Sequence, residues 1–354
     1  MSLLQPFAAA AQKSATVLAR FGELFSERLK QRAESVTAQK QREINAINIE
    51  ADKSRKLKAK LEDPLDNVDN TITRVSGLRS QIDALIKTVT NAEADPEAAA
   101  NAAGYRSAFT SILNQMRNVA DTARVKPNLL GEGNVTLTFP TNVNGIEQTV
   151  RGINLVSDYY IVDSEGKRFE PERTTNLLRR FDSYPEEPGE TFANLDTGAR
   201  LDSIDGNDVG FTLNADTADA APFTGTVVRE GIGILDSWLY DDFATPEGRA
   251  RARSDLEAAK SVLDLEERRY GVVKSTIEFQ RNRAKTDVKD ADLAIEAIAI
   301  EQAQIIREAE AEVSRQAAVL ASSLEHVQIL RNEYTKLFNT HRNPLVQTLL
   351  DIRV

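Results

Sequence analysis

LDNVDNTITRVSGLRSQIDALIKTV, residues 65–89, decides the fold. Its Leu65, Val68, Ile72, Val75, Leu78, Ile82, Leu85 and Val89 recur at three- and four-residue steps, which places them along one side of an α-helix. The stripe is narrow, the width of a coiled-coil seam facing one or two neighbouring helices. The same spacing continues on both sides. Upstream of Pro64 it runs through Leu29, Ala33, Val36, Ile44, Ile47, Ala51, Leu57 and Leu61, with Lys40 filling one slot. Far downstream it returns at Val313, Ala317, Leu320, Leu324, Val327, Leu330, Tyr334 and Leu337. Residues 23–63 hold neither Gly nor Pro, and between Pro246 and Pro344 only Gly248 and Gly271 intervene. Helix interiors exclude Pro and penalise Gly, so these arms read as long helices. At 1.5 Å per residue a C-terminal arm of roughly 95 residues spans about 140 Å. Such a helix must pair along its length, and the N-terminal arm is the nearest partner.

The middle of the chain has the opposite character. Residues 127–246 hold 7 of the 11 Pro, 12 of the 17 Gly and 12 of the 21 aromatic residues. Val135–Phe139 alternates with period two, as a half-buried strand does. Tyr159–Val162, then Asp163–Gly166, then Lys167–Glu170 reads as a hairpin with a four-residue loop. Phe211–Leu213 and Gly225–Val228 are further short strands. This region carries 8 basic against 21 acidic residues, whereas residues 1–62 carry 12 against 7. An acidic, turn-rich domain suits a solvated surface and argues against nucleic acid, because no basic face with interleaved aromatics is present.

Composition narrows the chemistry. The 354 residues include no Cys and two His, and net −10. No disulfide, thiol nucleophile or Cys-ligated metal is available, and His326 and His341 alone make neither a histidine-rich metal site nor a nucleophilic triad. Gly131-Glu-Gly133 and Gly231-Ile-Gly233 lack the third Gly of a phosphate cradle and read as tight turns. Asp202, Asp205, Asn207 and Asp208 surround Gly206 without the spacing of a calcium loop. Glu186-Glu187 and Asp241-Asp242 are neighbours on the chain with no nucleophile beside them. No run of 18 apolar residues exists to span a membrane, and Phe7–Ala11 is too short for a signal-peptide core. The expectation is a protein that is not an enzyme, has no cofactor and no metal, does not insert in a membrane and carries no cleavable signal peptide.

The resulting fold class is mainly α with an inserted β-rich domain, its long antiparallel N- and C-terminal helices forming a coiled-coil rod. The divisions are an N-terminal helical arm (1–63), rod helices pairing with the C-terminal arm (64–126), an acidic β-rich outer domain (127–246), a long C-terminal arm (247–342) and an apolar terminal segment (343–354). Val75, Ile82, Val273, Ile277 and Ile298 are the expected rod seam. Leu345, Leu349 and Leu350 in the last segment, and Leu18, Phe21 and Phe25 near the start, need a partner to bury them, because isolated helix ends fray. Two such termini invite stacking of identical copies, and a repeated contact that does not close generates a helical filament.

Asp290-Ala-Asp292-Leu-Ala294-Ile-Glu296, continuing to Ala303-Gln304-Ile305 and then Ala309, Gln316 and Ala317, resembles the C-terminal arm of bacterial flagellins. Those proteins carry a D-A-D-x-A-x-E block followed by A-Q-I-L. Arg269 through Glu278, with Gly271, is similar to the family's R-x-x-L-G-A-x-x-N-R-L-E helix, and Leu349-Leu350 with Arg353 to its apolar end. Leu113 through Asn128-Leu-Leu-Gly131 and Val135-Thr-Leu-Thr resemble the helix, turn and first strand of the N-terminal half. The family's S-S-G-x-R-I-N stretch is missing, and a Lys/Glu-rich helix from Glu27 to Glu62 stands there instead. The resemblance implies an extracellular filament subunit of the bacterial flagellum, homo-oligomeric and exported unfolded. It also implies paired termini inside, the acidic middle outside, and a secretion chaperone and a cap or junction protein as partners. A hook–filament junction protein, or an intracellular or phage coiled-coil scaffold whose middle domain binds a partner, are the competing readings.

Overall fold

A computed structural model of the chain describes residues 5–121, 127–131 and 133–340. Helix α1 (Gln5–Ala94) is followed by α2 (Ala102–Ala120), nine strands, a 3-10 segment (Ser237–Phe243) and α3 (Pro246–Thr340). The chain is therefore mainly helical, with an antiparallel β-rich region inserted between helices. It divides into two compact units, one of residues 55–285 and one of residues 1–54 with 286–354.

In the 55–285 unit the helical seam follows a strict seven-residue repeat. Leu61, Val68, Val75, Ile82 and Val89 form one row, and Leu57, Pro64, Thr71, Leu78, Leu85 and Ala92 the other, all buried. A repeat of 3.5 residues per turn is the spacing at which helices stay in contact over many turns. Two positions differ from the hydrophobic stripe read in the sequence. Thr71 takes the slot expected for Ile72, its hydroxyl satisfied by the Asn67 carbonyl at 2.7 Å. Pro64 is no boundary, because α1 runs straight through it. A helix-interior Pro costs about 3 kcal/mol, which the seam on both sides of the buried ring offsets.

The next proline does end the helix. The residue before a Pro is pushed out of the α region, and Asp95 before Pro96 uses this to make a turn. Its carboxylate accepts from the Glu97 amide at 2.9 Å, from Asn101 at 2.9 Å and from the Tyr105 hydroxyl at 2.9 Å. Helix α2 then returns along α1, where Arg74 donates to the Val119 and Ala120 carbonyls at its C-terminal end.

Helix α3 lies antiparallel to α1 in this unit, tied by Lys274–Asp69 at 2.7 Å, Arg79–Asp264 at 3.2 Å, Lys260–Asp83 at 2.5 Å and Arg253–Glu93. Its seam shows the same seven-residue grid: Ala252, Leu256, Ala259, Leu263, Glu266, Tyr270, Val273, Ile277 and Ala284 are buried.

The strands are β1 (Thr136–Pro140), β2 (Glu147–Arg151), β3 (Asp158–Asp163), β4 (Arg168–Glu172), β5 (Leu177–Ser183), β6 (Glu187–Asn194), β7 (Ala199–Asp205), β8 (Asp208–Leu213) and β9 (Ala221–Glu230). β1 and β2 make a two-stranded ribbon. The rest form an antiparallel sheet in the order β6-β5-β4-β3-β9-β8-β7. The expected hairpin is β3–β4, with Ile161 opposite Phe169. β2, β5, β6 and β7 carry weaker alternation, since their burial patterns are mostly exposed or mixed. The paired-glycine turns are turns in the structure as well: Gly231 and Gly233 have positive φ, and a Cβ on Gly231 would overlap the Val156 carbonyl.

In the unit built from 1–54 and 286–354 the helices again run antiparallel. Lys40 joins Glu301 at 2.8 Å, and Gln302 donates to the Thr37 hydroxyl at 3.1 Å. Lys40 fills its seam slot with its aliphatic stem. Hydrogen bonds first to Glu301 and then to Glu43 hold its ammonium pKa above the usual value. Only two helices are described in this unit, so seam residues such as Leu29, Val36, Ile47 and Ile298 are half-buried.

Candidate assembly surface

The expected seam and assembly residues occupy different environments. Val75, Ile82 and Ile277 are fully buried and Val273 nearly so. Ile298 is half-buried in the other unit. Phe21 on α1 is 48% exposed and Phe25 half-buried. Leu18 falls on α1 with its side chain outside the described part, and Leu345, Leu349 and Leu350 lie outside the described residues.

An apolar surface absent from those expectations lies on the outer flank of α3. Leu265, Val272 and Phe279 are 64%, 68% and 63% exposed, and they repeat every seven residues in phase with the buried seam. Single exposed apolar side chains are ordinary on a protein surface, whereas these three stand in helical register along one flank. Beside it a shallow groove of about 720 Å³ is lined by Arg268, Gly271, Val272, Ser275, Thr276 and Phe279. The same helix in the other unit leaves Leu293 and Ile300 exposed, again seven residues apart.

Gly271 sharpens this observation. In a helix interior Gly is about 1 kcal/mol worse than Ala, and a Cβ built on Gly271 meets nothing within 4 Å. Packing inside the chain therefore gives no reason for the missing side chain. Gly77, in the interior of α1, is in the same position. It sits among Thr73, Ser76, Ser80 and Ala84 on the outer flank of α1. Gly271→Ala is expected to raise monomer stability by about 1 kcal/mol in urea unfolding. A loss of stability would mean that the glycine serves the fold.

The β-rich region is fastened to the helices by a buried charge cluster. The Asp236 carboxylate receives Arg117 from α2 at 2.9 Å, Arg173 from the loop after β4 at 2.5 Å, and the Tyr159 hydroxyl from β3 at 3.1 Å. Trp238 donates its indole N–H to the Tyr159 oxygen at 2.9 Å, and Arg117 donates to the Ser157 carbonyl at 2.7 Å. Burial alone pushes the Asp236 pKa up, but Arg173 and Arg117 override it and hold the carboxyl down at about 2. Both carboxylate oxygens accept from these partners, so the acid ties α2, β3 and the loop after β4 together. The 3-10 segment completes the fastening. Trp238 meets Phe211 of the sheet at 5.7 Å, while Phe243 meets Phe109 of α2 at 4.9 Å. Asp236 gave no sequence signal, because its partners stand 119 and 63 residues away. The α3 stripe did have a signal, its seven-residue spacing, hidden behind the stronger seam pattern.

Among the described residues no helix is long and apolar enough to cross a membrane. No family model matches the chain, and no curated protein matches it. Among solved structures the chain is similar to the crystal structure of FlgL from Xanthomonas campestris. The identity is 9%, with 81% of this chain and 99% of that one covered and a TM-score of 0.23.

Proposed function

We propose that the chain is a non-catalytic, flagellin-like subunit that polymerises with copies of itself into an extracellular helical filament. Its long helices act as a paired coiled-coil rod, and its acidic β-rich domain faces outward. The observation that carries this reading is the exposed apolar row Leu265, Val272 and Phe279 on a helix whose opposite side is already buried. A fold complete on its own has no use for a second contact surface in helical register. The flagellin-like motifs on the same helix support the identity of the polymer, and with it export through a secretion channel and the service of a chaperone and a cap or junction protein.

Purified full-length protein, seeded or salted out and viewed by electron microscopy, is expected to form long uniform tubes. A chain truncated after Thr340, or one carrying Leu349→Asp with Leu350→Asp, is expected to stay dispersed with its helical circular dichroism intact. Discrete monomers or dimers from the intact chain would overturn the filament reading in favour of a junction protein or scaffold.

A further inference from the structure

Resting on that reading, we propose a specific lateral contact: the outer flank of α3 docks onto the outer flank of α1 of a second copy. The two flanks are complementary in size, spacing and charge. On α3 the large residues Leu265, Val272 and Phe279 project every seven residues. On α1 the small residues Gly77 and Ala84 follow Asn70 at the same interval, bordered by Thr73, Ser76 and Ser80. Laid antiparallel, a single register brings Val272 over Gly77, Leu265 over Ala84 and Phe279 over Asn70. That register also sets Arg283 opposite Asp66. Both are exposed and form no ion pair among the described residues. The missing side chain at Gly77 has no explanation within its own chain, since a Cβ there meets only open space. A docked Val272 supplies one, because knobs seat in holes left by small residues.

The occupant is another copy of this chain because the two halves of the contact are on one molecule. Neighbours aligned in parallel place α3 of one antiparallel to α1 of the next, which is the orientation the register requires. The surfaces that meet are different, so the contact is heterologous. Each copy keeps one flank of each kind free, and a heterologous contact that does not close into a ring propagates as a helix of subunits.

Val272→Glu removes the knob and Gly77→Phe fills the hole. Val272 is 68% exposed and a Cβ on Gly77 meets nothing within 4 Å. Each variant is therefore expected to keep the far-UV circular dichroism of the wild type and to unfold no earlier than it, Gly77→Phe gaining helix propensity. Each alone is expected to lower polymer yield in sedimentation and electron microscopy by more than about tenfold, the loss that 1.4 kcal/mol per contact produces. Mixed together, the two variants retain one intact pair of flanks and are expected to form discrete one-to-one complexes that do not elongate. Asp66→Arg and Arg283→Asp are each expected to weaken assembly, and the double variant to recover it. If the wild type polymerises and these variants polymerise equally well, this contact is wrong while the subunit reading stands. The contact is equally wrong if the mixture stays monomeric. If the wild type forms no polymer under seeding, the subunit reading fails and takes the contact with it.

Discussion

Asp236→Ala is expected to lower the unfolding free energy of the 55–285 unit by about 3–5 kcal/mol, the cost of breaking a buried ion pair by removing one partner. The carboxylate is the shared acceptor of Arg117, Arg173 and Tyr159. Removing it leaves the nearly buried Arg117 with only neutral acceptors, the Ser157 carbonyl and Asn114, and strips the Tyr159 hydroxyl of its acceptor, while Arg173 keeps Asp158. Trp238 is the only Trp in the sequence and donates into the same cluster, so its fluorescence follows the loss during urea unfolding. A shift below about 1 kcal/mol would show that the cluster is not what fastens the sheet to the helices.

The same group sets an acid limit on stability. The folded carboxyl titrates at about 2, below the ordinary value near 3.9 of an unfolded chain. A depressed folded pKa contributes stability that is present above the unfolded value and lost as pH falls through the folded one. The contribution is therefore complete above about pH 5 and is lost progressively between roughly pH 5 and 1, an amount of about 2–3 kcal/mol. Asp236→Ala should flatten that part of the stability–pH curve. An unchanged acid limb in the variant would place the titration on other carboxylates.

The second large effect separates folding from assembly. Ile82→Ala, in the buried seam, is expected to cost about 2–5 kcal/mol, because the removed atoms leave a cavity between closely packed helices. Val272→Ala on the exposed flank is expected to change monomer stability by less than about 0.5 kcal/mol. Both differ by a few methyl groups, and only their surroundings set the difference: one is fully enclosed and the other 68% exposed. Thermal unfolding followed by circular dichroism decides it. Equal effects would mean that the flank of α3 is covered within the monomer.

Much of the helical architecture was legible in the residues. The scarcity of Gly and Pro in the arms bounded two long helices, and α3 begins at Pro246, where the breaker-rich region ends. The hairpin around Gly166 was readable because Asp163, whose side chain accepts from the Glu165 and Lys167 amides, stands between two alternating runs. β5 was not readable, since Arg179 and Arg180 stand together between the buried Leu178 and Phe181 and break period two, and β6 and β7 bury too few side chains to show an alternation. Arg179 and Arg180 are neutralised across the sheet by Glu172 of β4 and Asp163 of β3, pairs that form only once the strands are in register.

Period and breaker content are local properties, and they sufficed to determine that this protein is built on long helices with a β-rich insertion between them. Pro64 shows where local reading stops. The breaker that punctuates most helices is retained inside α1 because its ring sits in the seam, and only the packed partner helices make that arrangement favourable. Asp236 shows the same for charge, because ion pairs across more than a hundred residues exist only once the chain has folded. The distinction between Ile82 and Val272 was also left to tertiary structure. Both lie on a seven-residue repeat in a helix, and it is the presence or absence of a neighbour that makes one part of the core and leaves the other as a surface for a second copy.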